Sequence, residues 1–368
     1  MKNLVESEEI YRKLQEHLDQ MPVGFPATQS GVEIRILKHL FTPEEANTSL
    51  NLSTSPEALN KIYRRFKDSG ISKEELEQKL DILVKKGLIL GGGALKFLGD
   101  RKFYCLSQWV VGIFEFQLNR LTKEFVEDYE EYLYGDFLNE YLNPKTPFQF
   151  RTIPIEKSVS VEQQISTYDD LRKIIENSKG PFSVANCICK QERDLLGHSC
   201  TITDLRETCI QLESTALHYI ELGYGREITK EEMFRILHKG QEAGLVLNPF
   251  NAQNPLSICI CCGDCCQIIT SLKKFPKPAN LIGSNFYAEV DFELCEGCET
   301  CTNRCQMDAI SLKDNISSVD LNRCIGCGNC VVSCPSNAIH LVKKEIEIVP
   351  PKDAPELLRE INIKKVSK

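Results

Sequence analysis

The sequence predicts an α+β chain of several domains, and three observations carry that expectation. The cysteines divide the 368 residues unevenly: Cys105 stands alone before residue 187, nine lie between Cys187 and Cys266, and eight between Cys295 and Cys334. The last eight repeat one spacing twice at an offset of 29 residues. The first third instead shows capped helix starts followed by short apolar runs around glycines. The expected boundaries are a helical arm over 1–29, a module of helices and a hairpin over 30–110, and a helical connector over 111–145. A cysteine-rich α/β domain over 146–285, a duplicated domain over 286–345 and a tail over 346–368 follow.

Composition narrows the setting. Hydrophobic residues make up 42% and charged residues 26%, an ordinary globular balance. No apolar run approaches the ~18–20 residues that span a bilayer. The start, MKNLVESEEIYRKL, lacks the apolar core of a signal peptide, so the expected location is cytoplasmic. Eighteen cysteines in such a chain point to metal rather than to disulfides. A net charge of −8 makes no case for nucleic acid as a partner.

In the first module, Thr42-Pro43-Glu44-Glu45 places a cap before proline at the first helical position. Ser55-Pro56-Glu57 reads as a second helix start. Ser72-Lys-Glu-Glu75 is a capping box for a third helix, whose apolar face is Leu76, Leu80 and Leu83. The runs LIL, GGG, ALKFLG and KFYCLS predict a hairpin turning at Gly91–Gly93. Three helices and a hairpin resemble a winged helix. Its third helix opens with Glu74, Glu75 and Glu77, which would meet phosphates unfavourably. Residues 31–104 hold thirteen Lys/Arg against ten Asp/Glu, so protein docking is expected there rather than DNA. In the connector, Phe114, Phe116, Phe125, Tyr129 and Tyr132 form a packing stripe. The tail, with Pro350-Pro351 and a Lys-rich end, reads as an extended arm.

In the middle domain, PFSVANCIC reads as a strand ending at thiols, Thr229-Lys-Glu-Glu232 as a capping box, and Leu245-Val246 as a short strand. Asp264 is placed at the start of a helix through CCQIITSLKK. Cys187-Ile-Cys189 and Cys259-Ile-Cys261 each present two thiols in one direction if they are strands. Cys262 and Cys265 form a C-x2-C metal loop, and Cys200 and Cys209 stand apart. With Cys266, these nine thiols are candidate metal ligands. They suffice for two clusters, or for one with spares; structural zinc and metal-free redox thiols are the alternatives. His198 is a further candidate ligand, and Cys105 reads as a buried small hydrophobe. CICCGDCC is similar to the CCG motifs of heterodisulfide reductase subunits, although it carries a single Cys261-Cys262-Gly263.

Cys295, Cys298, Cys301 and Cys305 follow C-x2-C-x2-C-x3-C, and Cys324, Cys327, Cys330 and Cys334 repeat it before Pro335. A 4Fe–4S cube takes four thiolates, three from a tight loop and the fourth from the other repeat. That rule assigns Cys295, Cys298, Cys301 and Cys334 to one cluster, and Cys324, Cys327, Cys330 and Cys305 to the second. Zinc in both motifs is the alternative. Residues 286–344 resemble a bacterial two-cluster ferredoxin of the (βαβ)2 type, with Gln306 standing where the motif has proline. The acidic first repeat predicts low potentials.

The runs MPVGFPATQSGVEIRILKHLFTPEEA (21–46) and ANCICKQERDLLG (185–197) are similar to a family of prokaryotic 4Fe–4S-binding proteins. That resemblance implies an anaerobic redox setting and names no substrate. The expectation is an electron-transfer component of a larger oxidoreductase, with redox proteins as partners, two 4Fe–4S clusters, and one or two further clusters in the middle domain. A winged-helix redox sensor and a thiol or disulfide reductase are the competing classes.

Overall fold

A computed structural model describes residues 2–99, 101–160, 163 and 165–366. It mixes helix and sheet, as an α+β chain does. Helices α1 (Lys2–Asp19), α2 (Val32–Leu40) and α3 (Pro43–Ser49) come first. Tyr11, Leu14 and Leu18 recur at helical spacing and are buried against Ile36 and Leu37 of α2. The box opening α3 is complete: Glu45 N–H donates to Thr42 Oγ1 at 3.2 Å, and Thr42 N–H to the Glu45 carboxylate at 2.9 Å.

Two expectations in this module need correction. Ser55 does not cap a helix, because its N–H donates to Ser53 Oγ. Glu57–Ala58 forms strand β1, and α4 (Leu59–Tyr63) begins after it. Helix α5 (Lys73–Lys85) starts at the expected Ser72–Glu75 box and buries Leu76, Leu80 and Leu83. Strands β2 (Ile89–Leu90) and β3 (Phe103–Leu106) pair antiparallel, giving the order β1-β3-β2. Their connection is not a turn at Gly91–Gly93. Residues Gly92–Leu98 form a short 3-10 helix, anchored where Gly93 N–H donates to Glu221 Oε2 at 2.8 Å. A Cβ at Gly93 would stand 2.7 Å from that oxygen, so glycine lets the segment dock.

Helices α6 (Lys123–Tyr132) and α7 (Leu138–Tyr141) follow. The aromatic stripe is buried: Phe114 stacks on Tyr129 with centroids 3.8 Å apart, beside Trp109 and Phe25.

The middle region contains α8 (Leu171–Asn177), β4 (Phe182–Asn186), α9 (Ile188–Leu195), β5 (Glu207–Leu212), α10 (Glu213–Glu221), β6 (Arg226–Glu227), α11 (Lys230–Glu242), β7 (Val246–Pro249), β8 (Ser257–Cys261) and α12 (Gln267–Lys273). The strands form one antiparallel sheet, ordered β6-β4-β5-β8-β7. Ile258 and Ile260 face α11, where Gly240 leaves room for Ile260, so Cys259 and Cys261 face the other way. Cys187-Ile-Cys189 is not a strand: Cys187 caps α9, and Gln191 N–H already donates to its carbonyl. Nor does Asp264 begin a helix. Cys266 caps α12, and the Asp264 carboxylate is held by Thr201. Half of the Thr229 box forms, because the Glu232 carboxylate turns to Arg226.

The last third contains β9 (Phe286–Val290), α13 (Thr300–Arg304), β10 (Ile310–Lys313), β11 (Ile316–Val319), α14 (Asn329–Ser333), β12 (Ile339–Lys343) and α15 (Ala354–Val366). β9 pairs with β12 and β10 with β11, both antiparallel. The tail is not an extended arm. Asp353 caps α15, and Ala354, Leu357 and Ile361 bury its apolar side beside Phe250. Lys365 then donates to the Asp19 and Met21 carbonyls, joining the two ends of the described chain.

A buried ion pair stitches the middle region to the last third. Arg151 bonds Asp169, whose other oxygen accepts from Asn285 Nδ2 at 2.8 Å, and Asn285 Oδ1 accepts from Ile348 N–H. Both charged side chains are at most 3% exposed. Removing one member strands the other charge. Asp169→Ala is therefore expected to cost about 3–5 kcal/mol in denaturant unfolding, whereas exposed Glu156→Ala, which faces Arg172, costs under ~1 kcal/mol.

Candidate metal centres

The duplicated domain builds its thiol sites by exchange between repeats. Ala288 N–H points at Cys324 Sγ at 3.4 Å, and Ser317 N–H, 29 residues on, points at Cys295 Sγ at 3.4 Å. Ala309 N–H meets Cys305 Sγ at 3.2 Å, and Ala338 N–H meets Cys334 Sγ at 3.3 Å. Gly297 and Gly326 have φ of +65° and +64°, and a Cβ on either would overlap a carbonyl oxygen of the opposite repeat, Asn315 or Phe286. Each thiol loop is thus closed by backbone from its partner repeat. An N–H aimed at sulfur favours thiolate over thiol, as an iron ligand requires.

The structure brings Cys305 to Cys324, Cys327 and Cys330 around one small cavity. Burial pushes the Cys327 thiol up to about 12 and raises Cys330 further. In the other set, Cys298 is exposed and Cys295 half-buried. Hydrogen bonds from Ser317 and Gly297 lower the Cys295 thiol, and Thr300 lowers Cys298. The Cys295 set thus has one exposed thiol, Cys298, whereas every thiol of the Cys324 set is buried or half-buried.

The nine middle thiols separate into six and three. Cys187, Cys189, Cys266, Cys261, Cys259 and Cys209 form one series in which each thiol shifts the titration of the next. Cys209 and Cys259 are cross-strand partners in β5 and β8, while Cys187 and Cys266 cap α9 and α12. The neighbouring Cys259 and Cys266 thiols bring the Cys261 thiol down to about 6. Cys200, Cys262 and Cys265 form the second group with Asp264, all four ligand atoms lying within 4.8 Å of one another. His198 is exposed and joins neither group, and Cys105 is buried in β3 with its thiol pushed up to about 12 by burial.

The six thiols, together with Cys262 and Cys105, line a cavity of about 570 Å³. Polar groups on its wall have no hydrogen-bond partner among the described residues: Gln108 Oε1, Tyr141 OH, Thr208 Oγ1, Ser271 Oγ and both ring nitrogens of His218. Burial lowers His218 to about 4, so its ring is neutral. Glu192 is pushed up to about 8 by burial and bonds Gln267, which accepts from Tyr129 OH. Glu115, also on the wall, is pushed up to about 7 by burial although Gly112 N–H donates to it.

The two cysteine-rich regions touch. Gly263 N–H donates to Gln306 Oε1 at 2.6 Å, and Lys273 bridges the Gly263 carbonyl to Asp308. Gln306 stands at the position taken by Pro335 in the second repeat, which explains the departure: its side chain is the contact. Sequence reasoning missed Gln306, Glu115, Glu192 and His218 as site residues. It also missed Asp264 as a ligand, reading it as a helix start, although its place among four thiols was the signal that could have found it.

This arrangement defines an iron–sulfur protein with a ferredoxin-like C-terminal domain. Residues 288–311 and 318–340 match the 4Fe-4S binding domain family. No curated protein and no solved structure matches the chain. The matched domain and the cysteine groups support an iron–sulfur electron-transfer role. Among the described residues, no helix is long and apolar enough to cross a membrane.

Glu115 sets a pH dependence. A carboxyl raised from 4.5 to about 7 stays protonated in the folded state where the unfolded state ionises. Stability is then lost as pH rises from about 4.5 to about 7. Glu115→Gln keeps the acceptor for Gly112. It is expected to gain roughly 2 kcal/mol over the natural protein above pH 7 and little near the bottom of that window, read by thermal unfolding at a series of pH values.

Proposed function

We propose that this chain carries single electrons through two 4Fe–4S clusters to or from a third iron–sulfur site held by the six thiols, as a subunit or partner of a larger oxidoreductase. Cys295, Cys298, Cys301 and Cys334 hold one cluster, and Cys324, Cys327, Cys330 and Cys305 the other. Clusters so ligated supply reversible one-electron transfer. The protein's part is to hold them in order: the set with the exposed Cys298 for a partner to reach, the more buried set next, and then the CCGDCC turn.

The observation that carries this reading is the bond between Gly263 and Gln306. It gives a path from Cys305 to Cys261 and Cys262 through covalent bonds and one hydrogen bond. The cavity beside the six thiols favours chemistry at that end rather than relay alone. Its walls offer a buried neutral histidine, the raised Glu115 carboxyl and unpartnered polar atoms to a small molecule.

Anaerobic purification with iron and sulfide quantitation is expected to give about twelve irons per chain, four for each of three clusters. Cys259→Ser should abolish one electron paramagnetic signal and leave the two ferredoxin-type signals. A count of about eight irons in the natural protein removes the third site from the proposal. Gln306→Pro copies the residue after Cys334 and deletes the Gly263 bond. It is expected to leave all three signals and slow reduction of the third site through the ferredoxin domain; an unchanged rate places the path elsewhere.

A further inference from the structure

The CCGDCC turn presents its thiols in two directions. Cys261 and Cys266 belong to the six-thiol chain, whereas Cys262 and Cys265 turn to Cys200 and Asp264. Cys262, just past the end of β8, and Cys265 are 1% and 3% exposed, while Cys200 and Asp264 are half-buried.

The geometry of the second group differs from that of a cluster. Cys200 Sγ and Cys262 Sγ are 3.7 Å apart, and Cys200 Sγ is 3.5 Å from Asp264 Oδ1. Zn–S bonds of ≈ 2.3 Å at tetrahedral angles give an S···S edge of about 3.8 Å, and a Zn–O bond of ≈ 2.1 Å gives an S···O edge of about 3.6 Å. Both observed separations fit two edges of one ion's tetrahedron, and Cys265 Sγ lies within 4.8 Å of the other three ligand atoms. In a cube each thiolate binds its own iron, so the sulfurs lie across the cluster and cannot share a single ion's edges.

The surroundings complete such a site. The other carboxylate oxygen, Asp264 Oδ2, accepts from Thr201 N–H at 2.7 Å and Thr201 Oγ1 at 3.1 Å, which fixes the direction of Oδ1. Lys190, 1% exposed and anchored on the Leu205 carbonyl, supplies a cation beside the anionic ligands.

We propose that Cys200, Cys262, Cys265 and Asp264 hold a single divalent zinc ion in a closed tetrahedral site. Four protein ligands leave no position for water or substrate, which is the character of a structural site. The ion fastens the loop after α9 to the CCGDCC turn, and so holds Cys261 and Cys266 toward the cavity. The inference goes beyond the electron path and does not depend on the number of irons bound.

Metal analysis of the anaerobically purified chain is expected to give one zinc per chain besides its iron. Zinc X-ray absorption on the natural protein should show three sulfurs at about 2.3 Å and one oxygen at about 2.0–2.2 Å. Cys265→Ser should lose the zinc with iron and sulfide unchanged. Asp264→Asn, the milder variant, should release zinc to a chelator faster than the natural protein does. Absence of zinc, a single iron in its place, or loss of about four irons on Cys265→Ser each overturns the assignment. The X-ray measurement needs no variant, so a misfolded Cys265→Ser leaves the question decidable.

Discussion

Gly263 has its N–H 2.6 Å from Gln306 Oε1 and no room for a side chain, since a Cβ would lie 2.5 Å from the Gln306 carbonyl oxygen. This close approach of two backbones organises the cysteine-rich two-thirds of the chain. It presses the CCGDCC turn, with its four thiols, against the residue following Cys305. Lys273 closes the same junction electrostatically, and Arg304 adds a bond to the Glu242 carbonyl at 2.6 Å. On the far side, Asn329 Nδ2 donates to the Gly244 carbonyl and Ile155 N–H to the Cys327 carbonyl. The ferredoxin-like domain is therefore gripped by side chains next to its thiol loops and by the Cys327 carbonyl. Fixed loops suit electron transfer, which depends on holding distances constant.

The middle sheet explains how one short segment serves two purposes. Alternation along β8 sends Ile258 and Ile260 into an apolar core with Met233 and Leu237. The same alternation sends Cys259 and Cys261 to the cavity. Beyond the strand end the turn reverses direction, so Cys262 and Cys265 fall opposite Cys261 and Cys266. Hydrophobic burial thus sets the orientation of the sulfurs: rotating the thiols away would expose the isoleucines, at ≈ 25 cal/mol per Å² of apolar area.

The cavity walls come from the first module and connector as well as from the middle sheet. Trp109, Phe114 and Tyr129 pack into the aromatic core that supports Glu115 and places it at the wall. The 3-10 segment docked on α10 sets His218 against Phe116, with ring centroids 4.9 Å apart. The N-terminal elements therefore act here as a lid of fixed packing. Their acidic α5 turn, with Glu77 paired to Lys102, offers no cationic face to a nucleic acid.

How much of this was legible depended on whether the signal was local. The capping boxes at Thr42 and Ser72 were readable because a cap and its helix lie within four residues. The duplicated thiol loops were readable because iron imposes its spacing on the chain directly. Tertiary contacts decided the rest. Ser55 resembles a cap, but pairing of Glu57 with Tyr104 on β3 drew that stretch into a sheet. Gly91–Gly93 resembles a turn, but Glu221, more than a hundred residues away, gave the segment a partner. The tail looked extended because its apolar positions declare a helix only once Phe250 is there to cover them. By itself the sequence determined which eight thiols belong to the ferredoxin-like repeats. Only the tertiary structure divided the other nine into six and three, because the direction of a side chain is set by the packing of the opposite face, which no local spacing records.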